Sequence, residues 1–275
     1  MLLGITACGT RTIYNNLDWV ASWYLDDYIS LTSLQEKQFD STIDAFLIWH
    51  RKEELKNYIQ QIKVIQSDLN KGIKRSDIEN YIVSIKGFLE VALIKAEPDI
   101  TNLAFSLSDV QVVDFLDEVE RQNIEKIKRH DKSTQQERLA KRFDKIEEQV
   151  TDYVGPLNDE QTELLSSANQ KLLPGFEHFI EFRRQWANAI NDAYALRNST
   201  EGDEQRKKYV FETALKRPIL ETNTLRSKAY LATLEHNQSV WVDTLDELLI
   251  SLDDTQLKHV NDKLNEMIED LTSLL

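Results

Sequence analysis

Apolar side chains recur at intervals of three and four along most of this chain, the period at which a helix turns one face to a core. Near the end, Leu257, Val260, Leu264, Met267, Leu271 and Leu274 keep that rhythm. Earlier, Phe39, Ile43, Phe46, Tyr58, Ile62, Ile65 and Leu69 trace a similar face and predict a helix that runs to Lys71-Gly72. Phe179, Phe182, Trp186 and Ile190 mark a third buried stripe. No stretch makes a case for a strand. The pattern predicts an all-α fold, an elongated bundle of about seven to nine helices.

The helix starts carry a repeated signature. In Leu31-Thr32-Ser33-Leu34-Gln35, a hydroxyl at the N-cap and Gln at the third helical position form the reciprocal capping box that satisfies two orphan amides. The same figure returns at Ser108 with Gln111, Asn158 with Gln161 and Asp253 with Gln256, each after a leucine. Average composition would supply about 0.3 to 0.5 such matches in a chain of this length, so chance is a poor account. The copies fall in two pairs around Gly155-Pro156, which divides the chain into an N-terminal half, 10–155, and a C-terminal half, 156–275, with one continuous domain as the alternative.

Between these starts the breaks are short. Glu97-Pro98-Asp99 is expected to end a helix, since the residue before a proline is pushed out of helical geometry. Leu173-Pro174-Gly175 is expected to interrupt or kink the helix that starts at Leu157, Asn198–Asp203 to form a loop, and Arg217-Pro218 to kink another helix. Lys132-Ser133-Thr134 reads either as a turn or as a polar face within a longer helix from Val112 to Val150.

Composition narrows the function classes. With 275 residues, 41% of them hydrophobic, the chain can bury a core, and only seven glycines and four prolines argue against sandwiches, barrels and Rossmann folds. A net charge of −14 leaves no basic footprint for nucleic acid. The charge is uneven: segment 51–95 holds more Lys and Arg than Asp and Glu, while 235–275 is rich in carboxylates such as Asp243, Asp246, Glu247, Asp253 and Asp254. The two regions are expected to attract; the acidic one reads as a solvated helix face, with a surface that holds a basic partner or weakly gathers cations as the alternative.

The single cysteine, Cys8, follows an apolar run and the small residues Thr6 and Ala7, with Ile5 three positions before it. This resembles the end of a bacterial lipoprotein signal, although no Lys or Arg precedes the run and the run is shorter than the roughly 7 to 15 residues of a usual signal core. The alternative is a free thiol on an N-terminal tail. The resemblance implies that residues 1–9 are a signal remnant and anchor, that Cys8 is acylated, and, with Gly9 rather than Asp after it, that the protein sits in the periplasm on the outer membrane of a Gram-negative cell.

Further on come Tyr14-Asn15-Asn16-Leu17-Asp18-Trp19, Asp26-Asp27-Tyr28, the Leu31–Gln35 box, and Trp49-His50-Arg51 with Glu54 and Leu55. This series resembles an uncharacterised family of Gram-negative lipoproteins, a domain of unknown function, with Gly155-Pro156-Leu157 and Gln161 as a second anchor point. The family implies a lipid-anchored periplasmic helical protein and carries no established activity. The boxes alone are also similar to those of the Spy-like and CpxP-like periplasmic proteins, which implies two Spy-like helical halves in tandem.

Candidate chemistry concentrates at Trp49, His50, Arg51 and Glu54, because His50 and Glu54 lie one helical turn apart. One reading is a structural network in which His50 and Arg51 bond Asp26 or Asp27 of the preceding helix, with Arg51 as the hub. The other is a small-molecule, metal or catalytic site. The aromatic group Tyr14, Trp19, Trp23, Tyr24 and Tyr28 reads as core, as a lipid-interface belt or as a client surface. His178 and Glu181 could share an ion, but no histidine has a Glu three residues before it, which disfavours a carboxylate di-metal bundle. Phosphate loops, zinc spacings and nucleophile elbows are missing. The sequence-level expectation is therefore a non-enzymatic protein without metal or cofactor, bound to the membrane through Cys8 and to other envelope proteins as scaffold, adaptor or Spy-like chaperone.

Overall fold

The computed structural model describes residue 14 and residues 16–275 of the protein. Helices α1 (Leu17–Asp26) and α2 (Ser33–Trp49) form a hairpin. A π-helical turn, His50–Glu54, joins α2 to α3 (Leu55–Leu69) without a break. Then follow α4 (Arg75–Phe105), α5 (Asp109–Asp131), α6 (Gln135–Val154), α7 (Asp159–Lys171), α8 (Phe176–Ser199), α9 (Glu204–Ile219), a 3-10 turn (Thr222–Leu225), α10 (Lys228–Ile250) and α11 (Asp254–Thr272). Among the described residues there is no strand. The fold is an all-α elongated bundle.

Its length comes from two rods. The α2–π–α3 rod covers residues 33–69, about 55 Å at 1.5 Å per residue, and α4 returns antiparallel to it. A core lies towards each end. At one, Val112 of α5 packs with Ile190, Ala193 and Tyr194 of α8 and Phe211 and Leu215 of α9. At the other, Ile146 of α6 packs with Leu165, Ala168 and Leu172 of α7 and Val240 of α10. Both clusters combine residues from before and after Gly155. Polar cross-links add to these: Gln66 Nε2 donates to Asn265 Oδ1 at 2.9 Å where α11 lies along α3, and Arg75 Nε donates to Asp243 Oδ1 at 2.8 Å where α10 crosses α4. That second pair joins the basic segment to the acidic one, but both side chains are exposed, and such pairs contribute about 0 to 1 kcal/mol.

The breaks differ from expectation at two prolines, and the Lys132–Thr134 alternative resolves as a turn. Pro98 does not end a helix; α4 continues through it to Phe105. The proline removes the bond to the Ile94 carbonyl, which lies on an exposed stretch where water can satisfy it, while Thr101 is buried and Ala96 and Leu103 are partly buried on either side. Pro218 sits in the last turn of α9, which ends one residue later. Lys132–Thr134 is a true break, and Thr134 starts α6 with a capping box of its own, its hydroxyl accepting from Glu137 N at 3.2 Å. Leu173-Pro174-Gly175 separates α7 from α8, and 200–203 separates α8 from α9.

Candidate functional site

The four Leu-preceded boxes meet in pairs. Each glutamine uses Oε1 to cap its own helix and Nε2 to reach the partner box. Gln161 Nε2 donates to Gln256 Oε1 at 2.9 Å, and Gln256 Nε2 donates to Gln161 Oε1 at 2.8 Å. The same amides reach the backbone before each partner's N-cap, at Ser251 O (3.2 Å) and Pro156 O (2.8 Å). Gln35 and Gln111 repeat the figure at 3.3 and 2.8 Å, with Ser106 O at 2.9 Å and Ser30 O at 2.8 Å as the backbone acceptors. In all four cases the carbonyl lies two residues before the partner's N-cap, so each pair has a local two-fold relation. The two clasps bind α2 to α5 and α7 to α11 at their N-termini.

The fifth box, Thr134 with Glu137, explains why the others use glutamine. A carboxylate can cap its own helix, as Glu137 Oε2 does by accepting from Thr134 N at 2.8 Å. It has no N–H to reach across to a second box.

Between the two cores, the midspan of α4 is exposed. α10 covers its start, with Lys86 Nζ bonded to Gln238 Oε1 at 2.7 Å, and α9 covers its end, where the Phe105 ring meets Phe211 at a tilt with centroids 5.6 Å apart. On either side of Lys86, Val83 is 68% exposed and Leu89 61%, with Ile85, Val91 and Ile94 also open to solvent. The segment Ile82–Ala96 contains three charges, Lys86, Glu90 and Lys95, in fifteen residues. A helix apolar on all sides is ordinarily buried. Here it is covered on its inner side only, where Phe88 packs on Tyr58 at 4.8 Å and the Lys95 ammonium lies 5.9 Å from the Trp49 ring centre, and its other sides present apolar side chains with charges interspersed.

The π turn organises the third candidate. At about 100° per residue, His50 and Tyr58 would stand about 80° apart around an α-helix; one inserted residue makes them equivalent to positions seven apart, about 20° from alignment. His50 Nε2 accordingly lies 3.0 Å from Tyr58 Oη, while Nδ1 lies 2.7 Å from Tyr14 Oη. A neutral imidazole has one donor and one acceptor, so it donates to one phenol and accepts from the other. Burial pushes the His50 pKa below its ordinary value, with Glu54 opposing. Burial, helped by Glu54 and Tyr14, pushes Tyr58 up to about 12, and burial raises Tyr14 against the pull of Arg51.

The structure brings Trp49, His50, Arg51 and Glu54 together: Trp49 meets His50 edge-on at 6.2 Å, the Arg51 guanidinium lies 5.4 Å from the Tyr14 ring centre, and Glu54 is buried. It does not bring Asp26 and Asp27 to them. The antiparallel α1–α2 hairpin places these exposed carboxylates at the start of α2, about 25 Å along the helix from His50, and brings Tyr14 there instead. His178 stacks on Tyr230 at 5.8 Å, and among the described residues no three His, Cys, Asp or Glu side chains gather as a metal cluster. Trp19 and Trp23 stack at 6.5 Å on the exposed face of α1. Cys8 lies outside the described residues, and among those described no helix is long and apolar enough to cross a membrane.

Three features were not read from the sequence: the exposed apolar side chains of α4, the π turn and the glutamine pairing. The first had a signal, the low charge density of Ile82–Ala96; a one-residue π insertion has none in composition.

No curated protein and no solved structure matches the chain. A family of unknown function, DUF6279, matches residues 27–231, a span that includes the first three boxes and stops short of the fourth. With most of its length matched, the chain belongs to that family of unknown function.

Proposed function

We propose that the protein is a non-enzymatic binding protein of the cell envelope, anchored to the periplasmic face of the outer membrane by acylated Cys8, that holds other proteins against the midspan of α4. The observation that carries this reading is the set of exposed aliphatic side chains on the midspan of α4, Val83 and Ile94 on one side of the helix and Ile85 and Leu89 on another. Large apolar side chains left exposed together on one helical segment mark interaction sites, and Lys86, Glu90 and Lys95 among them supply the charged part of a protein contact. The occupation of both His50 nitrogens by tyrosines supports a structural role there rather than catalysis. The π turn favours a second reading, a small-molecule site at His50, Arg51 and Glu54, because such turns concentrate at functional sites.

Two experiments test the proposal. Leu89→Glu with Ile94→Glu should abolish protein capture by crosslinking in intact cells while the melting temperature stays unchanged; retained capture contradicts the α4 reading. Cys8→Ser in the native gene should move the protein from membrane to soluble fractions; unchanged fractionation contradicts the anchor. His50→Ala separates the second reading, which requires a functional loss at retained fold.

A further inference from the structure

A cavity of about 490 Å³ lies beneath α1, walled by α2, α4, α5, α8 and α9. It falls in the roughly 300–1,000 Å³ range of small-molecule sites and is about three times the size of an engineered apolar cavity that takes up benzene. Leu25, Phe39, Ile43, Phe46, Ile100 and Leu103 represent its walls, which are almost wholly hydrocarbon. Its polar side chains are largely spent within the protein. Trp186 Nε1 donates to Pro218 O at 2.9 Å, Tyr194 Oη donates to Ala104 O at 2.7 Å, and the Tyr24 and Tyr28 hydroxyls pair at 3.2 Å. Thr42 and Asp99 are the remaining polar side chains on the wall.

This chemistry selects the occupant. A peptide segment buried here would need partners for its backbone N–H and C=O groups, and helical walls with one hydroxyl and one carboxylate cannot provide them. A hydrocarbon chain has no such groups to satisfy. The cavity also extends along the helices, from Leu31 to Phe46 on one side and from Ala96 to Leu107 on the other, a slot rather than a sphere. Its cover, α1, packs on α2 and is fastened at its far end by Tyr28, which donates to Gln122 Oε1 at 2.7 Å. The inner side of α1 contributes Ala21 and Leu25 to the cavity, while Trp19 and Trp23 stand outward at 66% and 57% exposure, as residues at a membrane–water interface do.

We infer that the cavity binds a single acyl chain, from a free fatty acid or a monoacyl lipid, which enters beneath α1 with its head group left at the mouth. The site is independent of the exposed α4 midspan, and the inference stands whether or not that surface binds proteins.

The test is a fluorescence titration of the purified full chain with cis-parinaric acid. One saturable site is expected, displaced by palmitate and by lysophosphatidylethanolamine, and the stronger competitor identifies the source of the chain. Ile43→Trp and, separately, Leu103→Phe fill the slot and should each weaken binding at least tenfold with an unchanged circular dichroism spectrum; the smaller Leu103→Phe change covers the case in which the tryptophan disturbs folding. Non-saturating binding, affinity unchanged in both variants, or displacement by an apolar peptide but not by palmitate would overturn the inference.

Discussion

Gln161 and Gln256, 95 residues apart in sequence, exchange reciprocal amide hydrogen bonds at 2.9 and 2.8 Å while each also caps its own helix. Gln161 is 1% exposed and Gln256 4%, so neither amide can turn to water if its partner is lost. Gln161→Ala removes a capping acceptor and leaves Ser251 O and the Gln256 amide short of partners, a loss expected at about 2 to 4 kcal/mol by denaturant unfolding. In a double-mutant cycle with Gln256→Ala, the two losses should fall short of additivity by about 1 kcal/mol or more. Strict additivity would show that the clasp is a coincidence of two independent caps.

The contrast with Glu137 yields a sharper test. Gln161→Glu keeps the cap but replaces the donating amide with a buried carboxylate facing Gln256 Oε1. The variant is expected to be less stable than wild type at pH 7 and to recover part of the loss at low pH, as the carboxyl protonates and regains a donor. The reverse change, Glu137→Gln, should alter stability by about 0.5 kcal/mol or less, because that box caps without a partner. Unfolding curves across pH check both.

His50 fixes one side of the pH profile. Its folded pKa lies below the unfolded value near 6.5, so the stability it contributes is fully present above that pH and is lost as pH falls through the depressed folded value. Tyr58 fixes the other side: its pKa is raised from 10 to about 12, so its contribution is present below pH 10 and lost as pH rises towards 12. A stability plateau between about pH 6.5 and 10 is expected from this network. His50→Gln should flatten the acid limb and Tyr58→Phe the alkaline limb; unchanged limbs would remove both groups from the linkage.

Gly155 carries the turn between the second and third boxes. Its φ of +89° is reached cheaply only by glycine, and an added Cβ would lie 3.5 Å from His259 Cγ. Gly155→Ala is expected to cost about 1 to 2 kcal/mol from backbone strain, read as a lowered melting temperature with unchanged helicity.

Much of the architecture was legible because helices advertise their starts. Thr32, Ser108, Asn158 and Asp253 each head a helix, since an orphan amide needs a nearby acceptor whatever the tertiary context. Pro98 misled for the complementary reason. A proline breaks local hydrogen bonding, but α4 is held by packing on both sides of it, and tertiary contacts outweigh one lost bond. The His50 site was half legible. Spacing placed Trp49, His50, Arg51 and Glu54 together, but nothing local tells which end of α1 meets His50, so Tyr14 rather than Asp26 or Asp27 was visible only once the hairpin's direction was known. The glutamine pairing is a contact between residues 76 and 95 positions apart, information that a capping pattern does not contain.

The most direct measurement of the central claim is photo-crosslinking in intact cells, with the crosslinking amino acid placed at Leu89 in the native gene and, as a control, at Glu148 on the exposed face of α6. Capture of proteins from position 89 and not from 148 is the result expected of an α4 binding surface, one dominant adduct marking an assembly factor and many a client-holding chaperone. Equal labelling at both positions, or none at 89, would contradict it.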